Sequence, residues 1–340
     1  MRYPNFLKPN DTIGLIAPSF GISGEPYTSK FISGKQKFVE LGYNFKEGTN
    51  IYQIEKARSA SAKVRAKDFM DMYLDPDVDM IFSVAGGELM LEILPYIDFK
   101  KIKQSTPKYF MGYSDNTNLT FLLTILCDIA TIYGPHLTEF GMTKWDDSIK
   151  ESYQIITGNL LEQYSYPFYQ TDDISQTVGH YLDSFNMSKP VKYHSLYDKN
   201  VNVSGRLIGG CLDVIMSFCG IYDQAIAEFK KRYHNDGIIW YLEACDLNPL
   251  MMLRSLLQLK RLGYFDDCKA ILFGRSFHDE KVIFDISFDE AIHDALNDLN
   301  IPIITNMDIG HLPPTFTIIN GSYVTVEVID QKGKISYQLK

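Results

Sequence analysis

The chain has no excess of basic residues: across 340 positions, 33 Lys and Arg stand against 42 Asp and Glu, for a net charge of −9. That balance argues against nucleic acid or an anionic membrane surface as the main partner. The one basic cluster, Lys100, Lys101, Lys103 and Lys108, reads as a solvated loop between a helix and a strand. Cysteine is scarce too, with five residues and no Cys-x-x-Cys spacing. An odd, scattered set in mostly apolar surroundings implies buried thiols in a reducing compartment, with no disulfide framework or zinc site. No His-x-x-x-His, His-Glu-x-x-His or mixed Cys/His pattern offers a metal centre, so none is expected. The longest apolar stretch, Leu119 to Tyr133, is broken by Asp128 and is too short to span a bilayer. Residues 1 to 11 lack an apolar signal-peptide core, so a cytoplasmic protein is expected. The Gly-x-Gly-x-x-Gly and P-loop fingerprints are also missing, and no cofactor is expected.

What is present points to an α/β protein. Thr12–Ala17, Asp79–Ala85 and Lys108–Met111 read as interior strands, apolar throughout and not alternating. They are separated by helical patterns at 29–41, 61–73 and 89–94. Strands of that kind indicate a mainly parallel, doubly wound sheet covered on both faces, over roughly residues 1–150. From 151 to 204 aromatic residues crowd in and apolar runs are few, which reads as a connecting segment of short strands. Its rings are available to pack domains together or to stack on a base. A second α/β domain, 205–340, opens with Gly205–Asp213. It contains apolar strands at 237–243, 269–274 and 302–305, with Asn248-Pro249 opening a helix. An antiparallel pair is expected from 323 to 339.

Ligands of parallel sheets lie beyond the carboxyl ends of strands. Two features sit there in the first domain. Gly86-Gly87 follows a strand directly and reads either as a pair of oxyanion donors or as a tight turn. Ser114 stands between the strand ending at Met111 and a helix whose apolar face is Leu119, Leu122, Leu123 and Leu126. It reads as a turn serine or as a nucleophile on an elbow, although Asn116 replaces the elbow's second glycine. Asp115, Asn116 and Thr117 are expected to cap the helix. In the second domain, Glu243 ends an apolar strand and His311 follows Gly310 in a proline-rich loop. Each has an ordinary structural reading. Taken in order, Ser114, Glu243 and His311 have the side-chain types of a nucleophile, an orienting acid and a base.

The blocks Thr12–Ser19, Val84-Ala-Gly-Gly87, Leu94–Asp98, Gly112-Tyr-Ser-Asp115, Gly205–Gly210, Leu242-Glu243 and Gly310-His311 resemble the LD-carboxypeptidase family of serine peptidases. Trp240–Asp246 is most similar to its microcin C self-immunity branch. The resemblance implies Ser114 as nucleophile, Glu243 and His311 as its acid and histidine, and the amides of Gly87 and Asp115 as the oxyanion hole. It also implies a smaller C-terminal domain, a site between the domains and a homodimer. The substrate implied is a small peptide or a peptidyl-nucleotide. The carboxypeptidase branch usually continues its paired glycines with Tyr-Gly and a nearby arginine, where this chain has Glu88-Leu89-Met90. Two amide substrates therefore stand open, a peptidyl- or aminoacyl-nucleotide and a murein tetrapeptide. A non-catalytic binding protein built on the same crevice is the alternative from another class.

Overall fold

Ile13 to Ile16 are all buried, as only the interior strand of a sheet covered on both faces can be. This strand, β1 (Thr12–Ile16), begins an alternation of α1 (Tyr27–Glu40), β2 (Asn44–Glu47), α2 (Ala62–Leu74), β3 (Met80–Ser83), α3 (Phe99–Gln104), β4 (Tyr109–Met111), α4 (Thr117–Cys127), β5 (Thr131–Tyr133) and α5 (Asp147–Ile156). In the computed structural model, which describes residues 1–197, 200–277 and 281–340, the chain folds as two compact units.

The first unit takes in residues 1–161, 170–187 and 316–320. Its six-stranded sheet runs β2-β1-β3-β4-β5, all parallel, and closes on Ile318–Asn320, which pairs antiparallel with β5. That order reverses direction between β1 and β3, so the loops leaving those two strands diverge and open a crevice at their carboxyl ends. The late strand is fastened through Asn320, whose Nδ2 donates to Thr120 O at 3.0 Å and to Thr124 Oγ1 at 3.1 Å. In place of the ordinary helix expected at 89–94, Met90–Tyr96 forms a tighter 3₁₀ helix with Pro95 inside it.

The second unit takes in residues 162–169, 188–315 and 321–340. Four adjacent strands of its eight-stranded sheet, Val201–Cys211, Ile238–Glu243, Cys268–Gly274 and Ile303–Met307, are parallel. Antiparallel strands flank them, among them the pair Tyr323–Ile329 and Lys332–Gln338. Asn248 caps the helix Pro249–Arg261 by accepting from the Met251 amide. The chain is thus mixed α/β, with a parallel sheet in its N-terminal part and a second sheet domain.

The segment 151–204 is divided between the two units. Its start is α5, where short strands were expected. Asp146 caps that helix, and Ile149, Ser152, Ile155 and Ile156 are buried at helical spacing. The intervening charges mask the pattern in the sequence. Tyr153 on this helix packs edge-on against Phe38.

Candidate active site

In the first unit the turn after β4 is strained. Ser114 has φ +62°, a left-handed conformation unusual for a residue with a Cβ. Its amide donates to the Tyr133 hydroxyl at 3.1 Å. The side chain is half-buried and stands at the start of a 3₁₀ turn running into α4. The positive end of α4 therefore favours negative charge beside this hydroxyl.

Asp115 and Asn116 do not cap the helix as expected. Asp115 turns across the strand ends, where its Oδ2 accepts from Ser19 Oγ and from the Met90 amide at 2.8 Å, and its Oδ1 from Asn118 Nδ2 at 2.9 Å. Burial raises its carboxyl above the ordinary range, and these donors oppose the shift. Asn116 makes no cap bond either. Its Nδ2 lies 3.0 Å from Ala85 O, 3.1 Å from Tyr113 O and 3.0 Å from His136 Nε2. The residue that departs from the glycine of the elbow motif thus ties together the chain after β3, β4 and β5. Its donor nitrogen is placed among these acceptors, and the Oδ1 that would accept a helix N–H has no hydrogen-bond partner among the described residues.

Gly87 has φ +145°, and a methyl on it would meet Ser19 Oγ at 2.3 Å. Glycine alone lets this segment lie against the Ser19 turn, where the Phe20 amide also donates to Gly86 O at 3.0 Å. In the segment that follows the paired glycines, Leu89 and Met90 are engaged by neighbouring residues. Met90 is buried and its amide holds Asp115, while Leu89 O accepts from Arg65. Arg65, which reaches this segment, pairs with Glu92, as does Arg58.

In the second unit Glu243 and His311 meet. The acid ends the strand Ile238–Glu243 with its side chain fully buried, and its Oε2 lies 2.8 Å from His311 Nδ1. Gly310, at φ +106°, lets the loop run close to the strand end, because a Cβ there would touch Glu243 Oε2 at 2.8 Å. Burial alone would lower the imidazole's pKa. The Glu243 charge, with a contribution from the Cys245 side chain, outweighs it and holds His311 well above the ordinary histidine range. The Nδ1 bond to a carboxylate orients the imidazole and sets which ring nitrogen carries the proton in its neutral form.

Three features of these surroundings escaped the sequence reading. His136 stacks on Tyr113 with ring centroids 4.4 Å apart, yet in the sequence it was only one of seven histidines. Cys245, grouped with inert buried thiols, is half-exposed and adjoins His311. Asp213 accepts from the Cys245 and Asp246 amides at 3.1 Å each, fixing the chain just after the acid. Two aromatic residues of 151–204 are used within the second unit: Tyr169 lies under the Arg275 guanidinium and Tyr193 bonds Asp308. Among the described residues no group of three or more His, Cys, Asp or Glu is placed to hold a metal, and no helix is long and apolar enough to cross a membrane.

Comparison with known proteins agrees across both units. Residues 13–134 match the LD-carboxypeptidase N-terminal domain and residues 204–326 the LD-carboxypeptidase C-terminal domain. The Microcin C7 self-immunity protein MccF of Escherichia coli is 26% identical over 347 residues, covering 96% of this chain and 94% of that one. A Bacillus subtilis protein named probable murein peptide carboxypeptidase is 25% identical over 339 residues, covering 98% and 93%. The crystal structure of an MccF-like protein from Bacillus anthracis superposes with a TM-score of 0.82 at 26% identity, covering 100% of both chains.

Proposed function

Because the chain belongs to the LD-carboxypeptidase family of serine peptidases, we propose that it hydrolyses an amide bond through an acyl-enzyme formed on Ser114. In this reading His311 Nε2 takes the Ser114 proton as the hydroxyl attacks the carbonyl, and returns it to the leaving amine. Glu243 orients the imidazole and stabilises its charged form. The amides of Gly87 and Asp115 receive the oxyanion of the tetrahedral intermediate. The observation that carries the proposal is the 2.8 Å bond between His311 and the wholly buried Glu243. A buried carboxylate without a partner is costly, and an imidazole in a glycine-hinged loop is the partner acyl transfer needs. The strained serine turn supports it independently.

For substrate we favour a peptidyl- or aminoacyl-nucleotide, so that cleavage detoxifies a microcin C-type compound. The reason is that Arg65, the arginine bonded to Leu89, is fully buried against Glu92 and is not offered to a substrate carboxylate. The similarity to MccF points the same way. The similarity to the Bacillus subtilis relative supports the second reading, trimming of a murein tetrapeptide. One purified sample assayed against an aspartyl-adenylate analogue and a tetrapeptide muropeptide separates the two. Binding of both with turnover of neither would instead make the protein a non-catalytic receptor. Labelling by a fluorophosphonate probe tests the nucleophile, and undiminished labelling of Ser114→Ala would remove that serine from the role. Where Ser114 is the nucleophile, Ser114→Ala lowers turnover by about 10⁴- to 10⁶-fold. The reading also makes the enzyme a cytoplasmic homodimer, and light scattering that returned the mass of a single chain would remove the dimer.

A further inference from the structure

Arg275 directly follows the strand Cys268–Gly274, has an exposure of only 2%, and took no part in the reaction derived above. Its Nη1 donates to Asp308 Oδ1 at 2.5 Å, and its Nη2 donates to Leu312 O at 3.0 Å and Pro314 O at 2.7 Å. One guanidinium thus grips the loop three residues before His311 and again one and three residues after it. Asp308, wholly buried, is held in turn from its other oxygen by the Tyr193 hydroxyl and by the Tyr166 amide at 3.2 Å. The Tyr169 ring lies under the guanidinium, 4.7 Å from its centre.

We propose that Arg275 and Asp308 form a clamp that positions His311, fixing the loop 308–314 so that the imidazole stays on Glu243. A buried ion pair contributes little net stability compared with apolar packing of the same volume, so its retention calls for another reason. Geometry supplies one. The planar fork of an arginine reaches a carboxylate and two carbonyls at once, which a lysine ammonium does not reproduce. The three groups it joins are the two flanks of the residue that must be placed to a fraction of an ångström for proton transfer. Arg275 touches no reacting atom and acts through His311. The inference rests on His311 being the base.

The test uses the full-length enzyme carrying Arg275→Met together with Asp308→Asn, which removes both charges and strands neither, alongside Arg275→Lys. The paired variant is expected to lose about 10²-fold in kcat with KM changed by less than about threefold. Arg275→Lys should fall between it and the parent. The His311 imidazole, followed by NMR, should titrate lower in the paired variant than in the parent, because the ring no longer rests on Glu243. In a His311→Ala background the pair should cause no further loss. An unchanged kcat with an unchanged His311 titration overturns the clamp, as does a loss that adds in full to that of His311→Ala. Failure of the underlying reading looks different: His311→Ala would keep its turnover, while the imidazole titration of the paired variant would still report whether the loop is clamped.

Discussion

At His311 two opposing effects set the proton affinity. Burial favours the neutral ring, the Glu243 carboxylate favours the charged one, and the carboxylate prevails. An imidazolium cannot accept the serine proton, so kcat/KM should climb with pH through an acid limb displaced above the ordinary histidine value of about 6.5. Glu243→Gln keeps the size of the side chain but removes its charge. It should carry that limb back toward the ordinary value and lower kcat by about 10⁴-fold, read from a pH–rate profile of both forms. The same displacement acts on stability. The folded state binds the His311 proton more tightly than the unfolded chain does, so the pair's contribution is fully present below about pH 6.5 and is lost as pH rises through the raised value. Urea midpoints measured across that range should fall more steeply in the parent than in His311→Gln. Parallel curves would contradict the assigned shift.

The turn between β4 and α4 works as an element because its side chains face sideways, into neighbouring strand ends. Asn116→Ala removes the amide shared by Ala85, Tyr113 and His136, and should cost about 1–3 kcal/mol in equilibrium unfolding. Gly87→Ala combines a left-handed backbone with a methyl 2.3 Å from Ser19 Oγ. Strain of that kind costs about 1–3 kcal/mol. Where the Gly87 amide serves the oxyanion, kcat should drop by about 10²- to 10³-fold with KM little altered, as steady-state kinetics would show. Gly24→Ala is the matched control, since Gly24 also has a positive φ, +72°, but nothing lies within 4 Å of the added methyl. It should lose some stability and no turnover; an equal loss of turnover in both variants would deny Gly87 its special place. This element also marks how far sequence reasoning reached. The strand, turn and helix were legible from Tyr109–Met111, Gly112 and the leucine spacing. The work of Asn116 was not, because a motif compares one position with one expected residue and says nothing of what three strand ends need.

For the whole molecule, the parallel strands around 12–16, 80–83, 109–111, 238–243, 269–274 and 303–305 were legible as apolar runs bounded by turn residues, whereas β2, with Lys46 and Glu47, carries no such run. The division of the chain was not. Residues 151–204 alternate between the two units, and composition carries no mark of which sheet a short segment joins. Ile318–Asn320 is three residues long, too short to stand out ahead of the tail pattern at 323–339, yet it supplies an edge to the first sheet. Glu243 and His311 could be singled out by chemistry, and their contact across 68 positions is the work of the fold. Arg275 and Asp308 left no trace beyond being an arginine and an aspartate, since a buried clamp is defined by partners distant in sequence.

That borrowed edge strand has a consequence for how the protein is made. A ribosome must deliver some 320 residues before the first sheet receives its last strand and Asn320 reaches Thr120 and Thr124. Until then the nascent N-terminal part carries β5 as a bare margin, open to pairing with any extended segment nearby. The first sheet is therefore completed only after the whole segment between β5 and Ile318 has been made. A gene cut after residue 161 would freeze the chain at that unfinished stage, and a circular permutant that places 316–320 ahead of Met1 would bring the margin its cover from the start.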